Sequence, residues 1–170
     1  DLGGLARLLG DPDRFTRNKA IEDLAAAGDA AIPAVLAALA DPDTTTRVAA
    51  LTALQSIAQA RKTTGAESAI VPVLRHLLVD QEPQVRMFAC RDLGIIGTPD
   101  VPTDLLPLLA DPDPTVRAEA VTATANFVWQ GKNPTDRPAI VNALLAALDD
   151  RSPMVRSASG RVLGDIRDRA

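Results

Sequence analysis

Apolar residues recur at spacings of three and four along most of the chain, and short polar stretches that open on an Asp interrupt them at intervals. Counted from Asp11, Asp41, Asp80, Asp111 and Asp150, the same columns are apolar in every segment. Leu9, Leu39, Leu78, Leu109 and Leu148 stand two residues before the Asp, and Leu5, Val35, Leu74, Leu105 and Leu144 stand six before it. Nine residues after it the side chain is always small, at Ala20, Ala50, Ala89, Ala120 and Ser159. Thirteen after it stand Leu24, Leu54, Leu93, Thr124 and Leu163. Spacings of three and four place these residues on one face of a helix. Each segment is therefore predicted to be two helices with the Asp-containing turn between them.

The five Asp residues stand 30, 39, 31 and 39 residues apart. Such periods mark helical repeats. Their alternation suggests a pair of repeats duplicated as a unit of about 70 residues, because Ala69-Ile70-Val71 falls on Ala139-Ile140-Val141 under that shift. The predicted helix pairs are Leu2–Leu9 with Arg14–Ala27, Ala30–Ala40 with Thr44–Ala60, Glu67–Val79 with Pro83–Ile96, Val101–Ala110 with Pro114–Trp129, and Asp136–Asp149 with Pro153–Asp168. Gly28 and Gly97 stand where a helix should stop. Pro83, Pro114 and Pro153 fall in the first turn of a helix, where a missing N–H costs little. The extra residues of the long repeats, Arg61–Gly65 and Gln130–Thr135, read as loops. The expected organisation is one domain over residues 1–170, with repeats near 1–28, 29–65, 66–98, 99–133 and 134–170. A helix pair cannot bury its apolar stripe alone, so neighbours must stack to share a core.

Composition narrows the chemistry. Hydrophobic residues make up 46% of the chain and aromatic residues 2%, so the core must be built from Ala, Leu, Val and Ile. A net charge of −4 and a pI near 4.9 disfavour an electrostatic grip on phosphate backbones. A single Cys rules out an internal disulfide and gives no sign of an oxidising compartment, so a cytoplasmic location is expected. The most apolar stretch, from Leu24 to Ala40, is broken by Gly28, Asp29 and Pro33 and is no membrane span.

Each Asp is followed six residues later by an Arg: Asp11/Arg17, Asp41/Arg47, Asp80/Arg86, Asp111/Arg117 and Asp150/Arg156. The Asp-Pro-Asp turn, the Val-Arg that opens the second helix at Val85-Arg86, Val116-Arg117 and Val155-Arg156, and the small and Leu columns that follow resemble the HEAT-repeat superfamily. They resemble especially the HEAT-like type of phycobilisome lyase subunits, and the resemblance covers nearly the whole chain. Pro33 and Pro72 match the Pro of the family's first helix, while Thr16-Arg17 and Thr46-Arg47 depart from Val-Arg and keep a β-branched side chain. The resemblance implies an all-α fold, a right-handed α-α superhelix (solenoid) of five HEAT-like helix pairs. It also implies that the five Asp and five Arg residues form a ladder of hydrogen bonds along the stack. An Asp at a helix N-terminus can accept backbone N–H groups and complement the helix dipole, and an Arg in the first turn can reach a carboxylate in its own repeat or the next.

Few residues invite catalysis. His76 shares a column with Arg7, Ala37, Pro107 and Ala146 and reads as solvent-facing. Cys90 shares one with Ile21, Leu51 and Val121 and reads as a small core residue. One His and one Cys make no zinc motif of nitrogen and sulfur ligands, and there is no phosphate-binding Gly motif. Gly94 and Gly164 occupy one column inside second helices, which suggests close helix contact there. Positions seven, eight, eleven, fifteen and eighteen after each Asp fall opposite the core columns and should line the concave side of the stack. They supply candidate partner-binding residues Met87, Phe88, Arg91, Glu119, Thr122, Asn126, Trp129 and Arg161, with Ile95 and Asp165 beside them. Exposed Trp and Arg are typical of binding hot spots. The expected function is a non-enzymatic scaffold that holds a protein or peptide on that surface, with no cofactor and no metal. The alternatives are a DNA-binding protein of the HEAT-like alkylpurine glycosylase type and a chromophore lyase subunit.

Overall fold

The computed structural model describes residues 1–60, 67–97, 101–130 and 137–168, without the side chains of 60, 67, 101, 102, 127–130, 137, 167 and 168. All regular structure among them is helical. Ten α-helices follow in order: α1 (Leu2–Arg7), α2 (Arg14–Ala27), α3 (Ile32–Ala38), α4 (Thr44–Ala60), α5 (Glu67–Leu77), α6 (Pro83–Ile96), α7 (Val101–Leu105), α8 (Pro114–Gln130), α9 (Arg137–Ala146) and α10 (Pro153–Asp168). The second helix of each pair matches its predicted span to within a residue or two. The first helices are shorter than predicted: α1, α7 and α9 give way to 3-10 turns at Leu8–Gly10, Leu106–Ala110 and Ala147–Asp149, α3 starts after a 3-10 turn at Gly28–Ala31, and α3 and α5 end in plain turns. Pro107 lies in one of these turns and has no N–H to donate along an α-helix. The two loops expected at Arg61–Gly65 and Gln130–Thr135 fall outside the described residues, apart from Gln130, which ends α8.

The chain forms two compact units, Asp1–Asp92 and Leu93–Ala170. In the first, α1 packs on α3 and α2 packs on α4, so first helices stack on first helices and second on second. In the second, α8 packs on α10, α7 on α8 and α9 on α10. The core lies between the rows. Val35, Leu74, Leu105 and Leu144 are fully buried in the first-helix column, and Ala20, Ala50, Ala89 and Ala120 fill the small column facing it. Small side chains there let helix axes approach closely, and Leu24, Leu54 and Leu93 take up the remaining volume. Two polar residues break the pattern without leaving a buried group unpaired. The Thr124 hydroxyl donates to the carbonyl of Ala120 at 2.8 Å, and the Ser159 hydroxyl donates to the carbonyl of Leu144.

Two glycines end helices where expected. Gly28 has φ 61° and Gly97 has φ 69°, a region that residues with a Cβ avoid. The two interior glycines differ from each other. A Cβ on Gly94 would lie 2.8 Å from the Cβ of Ala123 on α8, so close packing holds at that position. At Gly164 a Cβ would meet nothing within 4 Å, which corrects the expectation of a close contact there.

Candidate functional site: the Asp turns and the second-helix flank

All five turns are built alike. The first Asp of each accepts, through Oδ1, the backbone N–H two residues on: from Asp13, Asp43, Glu82, Asp113 and Ser152, at 2.7–2.9 Å. The Arg six residues later closes the turn from the other side. Its Nη1 donates to the carbonyl of that same Asp, at 2.6–3.0 Å. It also donates to the next carbonyl, at 2.9–3.2 Å. A guanidinium has five N–H donors in a planar fork, so one nitrogen can hold two carbonyls while the rest stay available.

Within each unit one Arg also crosses to the next turn. Arg47 Nη2 donates to Asp80 Oδ1 at 3.0 Å, while its buried Nε finds no partner. Arg117 makes the fuller contact, with Nε on Asp150 Oδ2 and Nη2 on Asp150 Oδ1, both at 2.8 Å. The Arg117 side chain is 5% exposed and that of Asp150 13%. The bonds from Arg117, aided by the N–H of Ser152, hold the Asp150 carboxyl below the ordinary carboxylate range against the cost of burial. Arg17 and Asp41 share no hydrogen bond among the described residues, so this crossing is not repeated at the short spacing between them.

The second acidic residue of the turn has a separate task that the sequence reading did not assign. Asp13 and Asp43 are the N-caps of α2 and α4, accepting the N–H and the hydroxyl of Thr16 and Thr46 at 2.8–2.9 Å. The Thr16 hydroxyl leads in lowering the pKa of Asp13, and the Thr46 N–H leads for Asp43. Thr46 is also buried, in the column where Val85, Val116 and Val155 are buried in later repeats. The departure from Val-Arg thus keeps the packing slot and adds a hydrogen bond to the cap. The signal was present in the sequence as Asp-x-x-Thr, three residues apart.

The candidate partner-binding residues all lie on second helices. Met87, Phe88 and Arg91 are half-buried on α6, and the Arg91 guanidinium carbon sits 5.2 Å from the centre of the Phe88 ring. That contact orders an aromatic and a cation into one partly exposed patch. On α8, Glu119, Thr122 and Asn126 are half-buried, and the Thr122 hydroxyl turns back onto the carbonyl of Ala118 at 3.1 Å. Arg161 is exposed on α10. Trp129 belongs to α8, and its side chain lies outside those described. The flank also contains an open groove of about 320 Å³ between α2 and α4, lined by Arg14, Arg17, Asn18, Val48, Thr52 and Gln84 among others. Its lining mixes polar residues with Ile21, Val48 and Ala49 and lacks aromatic ones, so no hot-spot signal marks it in the sequence. His76 is exposed, and Cys90 is a buried free thiol. Among the described residues no helix is long and apolar enough to cross a membrane, and no cluster of three His, Cys, Asp or Glu could hold a metal ion.

Sequence models of HEAT repeats match residues 31–60, 56–125 and 104–170. The chain belongs to the HEAT-repeat family. None of the curated proteins matches it in sequence. Among solved structures, an engineered protein is 27% identical with a TM-score of 0.63, over 98% of this chain and 79% of that one. A second engineered protein, also 27% identical at a TM-score of 0.58, is longer, and this HEAT-repeat chain spans 47% of it. Cex1p has a TM-score of 0.68 at 17% identity, over 96% of this chain and 34% of Cex1p. A designed armadillo repeat protein, solved with the peptide (KR)4, has a TM-score of 0.60 at 21% identity, over 94% of this chain and 79% of that one. The HEAT-repeat chain therefore has the fold of helical-repeat scaffolds, whose extended surfaces are typically used for protein interaction.

Proposed function

We propose that this chain is a non-enzymatic scaffold and that the exposed flank of its second helices holds a segment of a partner protein or peptide. The observation that carries this reading is the Phe88–Arg91 patch on α6, an ordered aromatic and cation left partly open to solvent. Such residues contribute most of the binding energy at many interfaces. Met87 extends the apolar part of the patch, and a flexible Met adapts to the shape of a bound side chain. Glu119, Thr122, Asn126, Trp129 and Arg161 are the residues of α8 and α10 proposed for the same role. The designed armadillo neighbour lends support, since a helical-repeat frame of similar fold is seen there in complex with a peptide.

Nucleic acid is disfavoured by what the arginines are doing. Arg47, Arg86, Arg117 and Arg156 each commit Nη1 to two turn carbonyls, which leaves less of each guanidinium for phosphate. The test is affinity capture from the native source, followed by titration of the captured partner with variants. Phe88→Ala and Arg91→Ala are each expected to weaken binding about tenfold or more, corresponding to the loss of more than about 1.4 kcal/mol. Full affinity in both variants would show that the partner binds elsewhere.

A further inference from the structure

Arg17 is a rung of the ladder that stops short. Its Nη1 donates to the carbonyls of Asp11 and Pro12 at 2.6 and 2.9 Å, just as Nη1 of Arg117 donates to those of Asp111 and Pro112 at 2.8 and 3.1 Å. Arg117 then spends Nε and Nη2 on the two carboxylate oxygens of Asp150. The same two nitrogens of Arg17 make no hydrogen bond or ion pair among the described residues. Asp41, the acid that would meet them by register, lines a separate cleft between α1 and α3 together with Asp11. A guanidinium fixed through one nitrogen, with the adjoining edge unspent, is a fork already set for a carboxylate.

Arg17 lines the groove of about 320 Å³ between α2 and α4. Arg14 is the other charged residue of that lining, and no Asp or Glu belongs to it. Three carboxylates stand in the adjoining turns and are committed there: Asp11 to the N–H of Asp13, Asp13 to Thr16 and Asp43 to Thr46. Lys19 and Asp23 pair with each other at 2.7 Å, and Glu22, Arg47 and Glu82 also lie outside the lining. Asn18, Thr45 and Gln84 are exposed within it, and each can donate a hydrogen bond to an anionic oxygen. Ile21, Val48 and Ala49 add an apolar wall on which the methylene groups of an acidic side chain can rest.

We propose that this groove binds an acidic segment of a partner protein, with one carboxylate taken by Nε and Nη2 of Arg17 and a neighbouring one by Arg14. A peptide is favoured over a nucleic acid strand, because the lining has no aromatic ring on which a base could stack. This assigns a partner chemistry to one part of the second-helix flank and so rests on the scaffold reading. The groove is nevertheless separate from the Phe88–Arg91 patch, and either can bind without the other.

Fluorescence anisotropy of a short labelled peptide of alternating Glu and Ser, titrated with the whole chain, tests it. Binding should saturate and should weaken with added salt. The same peptide with Gln in place of Glu should not bind. Arg17→Gln should weaken binding about tenfold. Because Arg17 also ties its own turn, the companion variant is Asn18→Glu, which alters an exposed residue and sets a negative charge in the lining. It should weaken binding by as much, with a circular dichroism melt like that of wild type. Phe88→Ala should leave affinity for this peptide unchanged. Absence of saturable binding would overturn the proposal, as would equal binding of the Gln peptide or full affinity in Asn18→Glu. Loss of the peptide in Phe88→Ala, or tighter binding of an oligothymidylate of equal length, would overturn it too.

Discussion

At the scale of single residues, one short motif divides its work among three side chains. The first Asp folds the turn, the residue two on caps or begins the helix, and the Arg ties the turn's carbonyls and, at Arg47 and Arg117, reaches the next repeat. Asp150 is the clearest titrating member, because its carboxyl is part-buried and held below the ordinary range. A carboxylate whose folded pKa is depressed contributes stability above its unfolded pKa, about 3.9, and loses that contribution as pH falls through the folded value. Asp150→Asn should therefore lower the urea midpoint at neutral pH, and its deficit against wild type should shrink as pH drops below about 4. Equal deficits at both pH values would show that the charge of Asp150 adds nothing. The Asp and Arg columns were legible in the sequence because they repeat. The crossing from Arg117 to Asp150, and its absence between Arg17 and Asp41, were not legible, since they depend on how far apart successive turns come to rest.

At the scale of helices, periodicity located every second helix and most of the buried columns. It overestimated the first helices, because the form of a first or last turn depends on local backbone geometry that apolar spacing does not encode. Gly94 and Gly164 show a second limit. They share a column, yet among the described residues a Cβ at Gly94 would press on Ala123 of α8 and one at Gly164 would meet nothing. Gly94→Ala should destabilise the fold by about 1–3 kcal/mol through overpacking against Ala123. Gly164→Ala should stabilise it by up to about 1 kcal/mol, because the methyl enters open space and alanine favours the helix. Thermal melts of the two variants would check the pair, and shifts of the same sign would count against the packing described for α6 and α8. Thr46 makes the opposite point, since a departure from the family pattern both fills the Val slot and bonds the cap.

At the scale of the whole chain, the architecture follows from one device repeated. A helix pair buries its apolar stripe by stacking on another pair, and within each unit one Asp–Arg crossing, Arg47 to Asp80 and Arg117 to Asp150, ties a turn to the next. The fold class was readable because five copies reinforce one another, whereas the binding surface is read from only a few non-repeating residues. Phe88 and Arg91 were found through their chemistry, while the groove beside Arg14 and Arg17 was missed because its mixed lining lacks aromatic residues. The most direct test of the claim that these turns join one repeat to the next is a double-mutant cycle on Arg117 and Asp150, measured by urea denaturation of the intact chain. The cycle cancels what each residue does inside its own turn and leaves only the crossing. A coupling of about 1.5–3 kcal/mol is expected for a hydrogen-bonded charge pair in this part-buried setting. Two substitutions that add to within about 0.5 kcal/mol would contradict it.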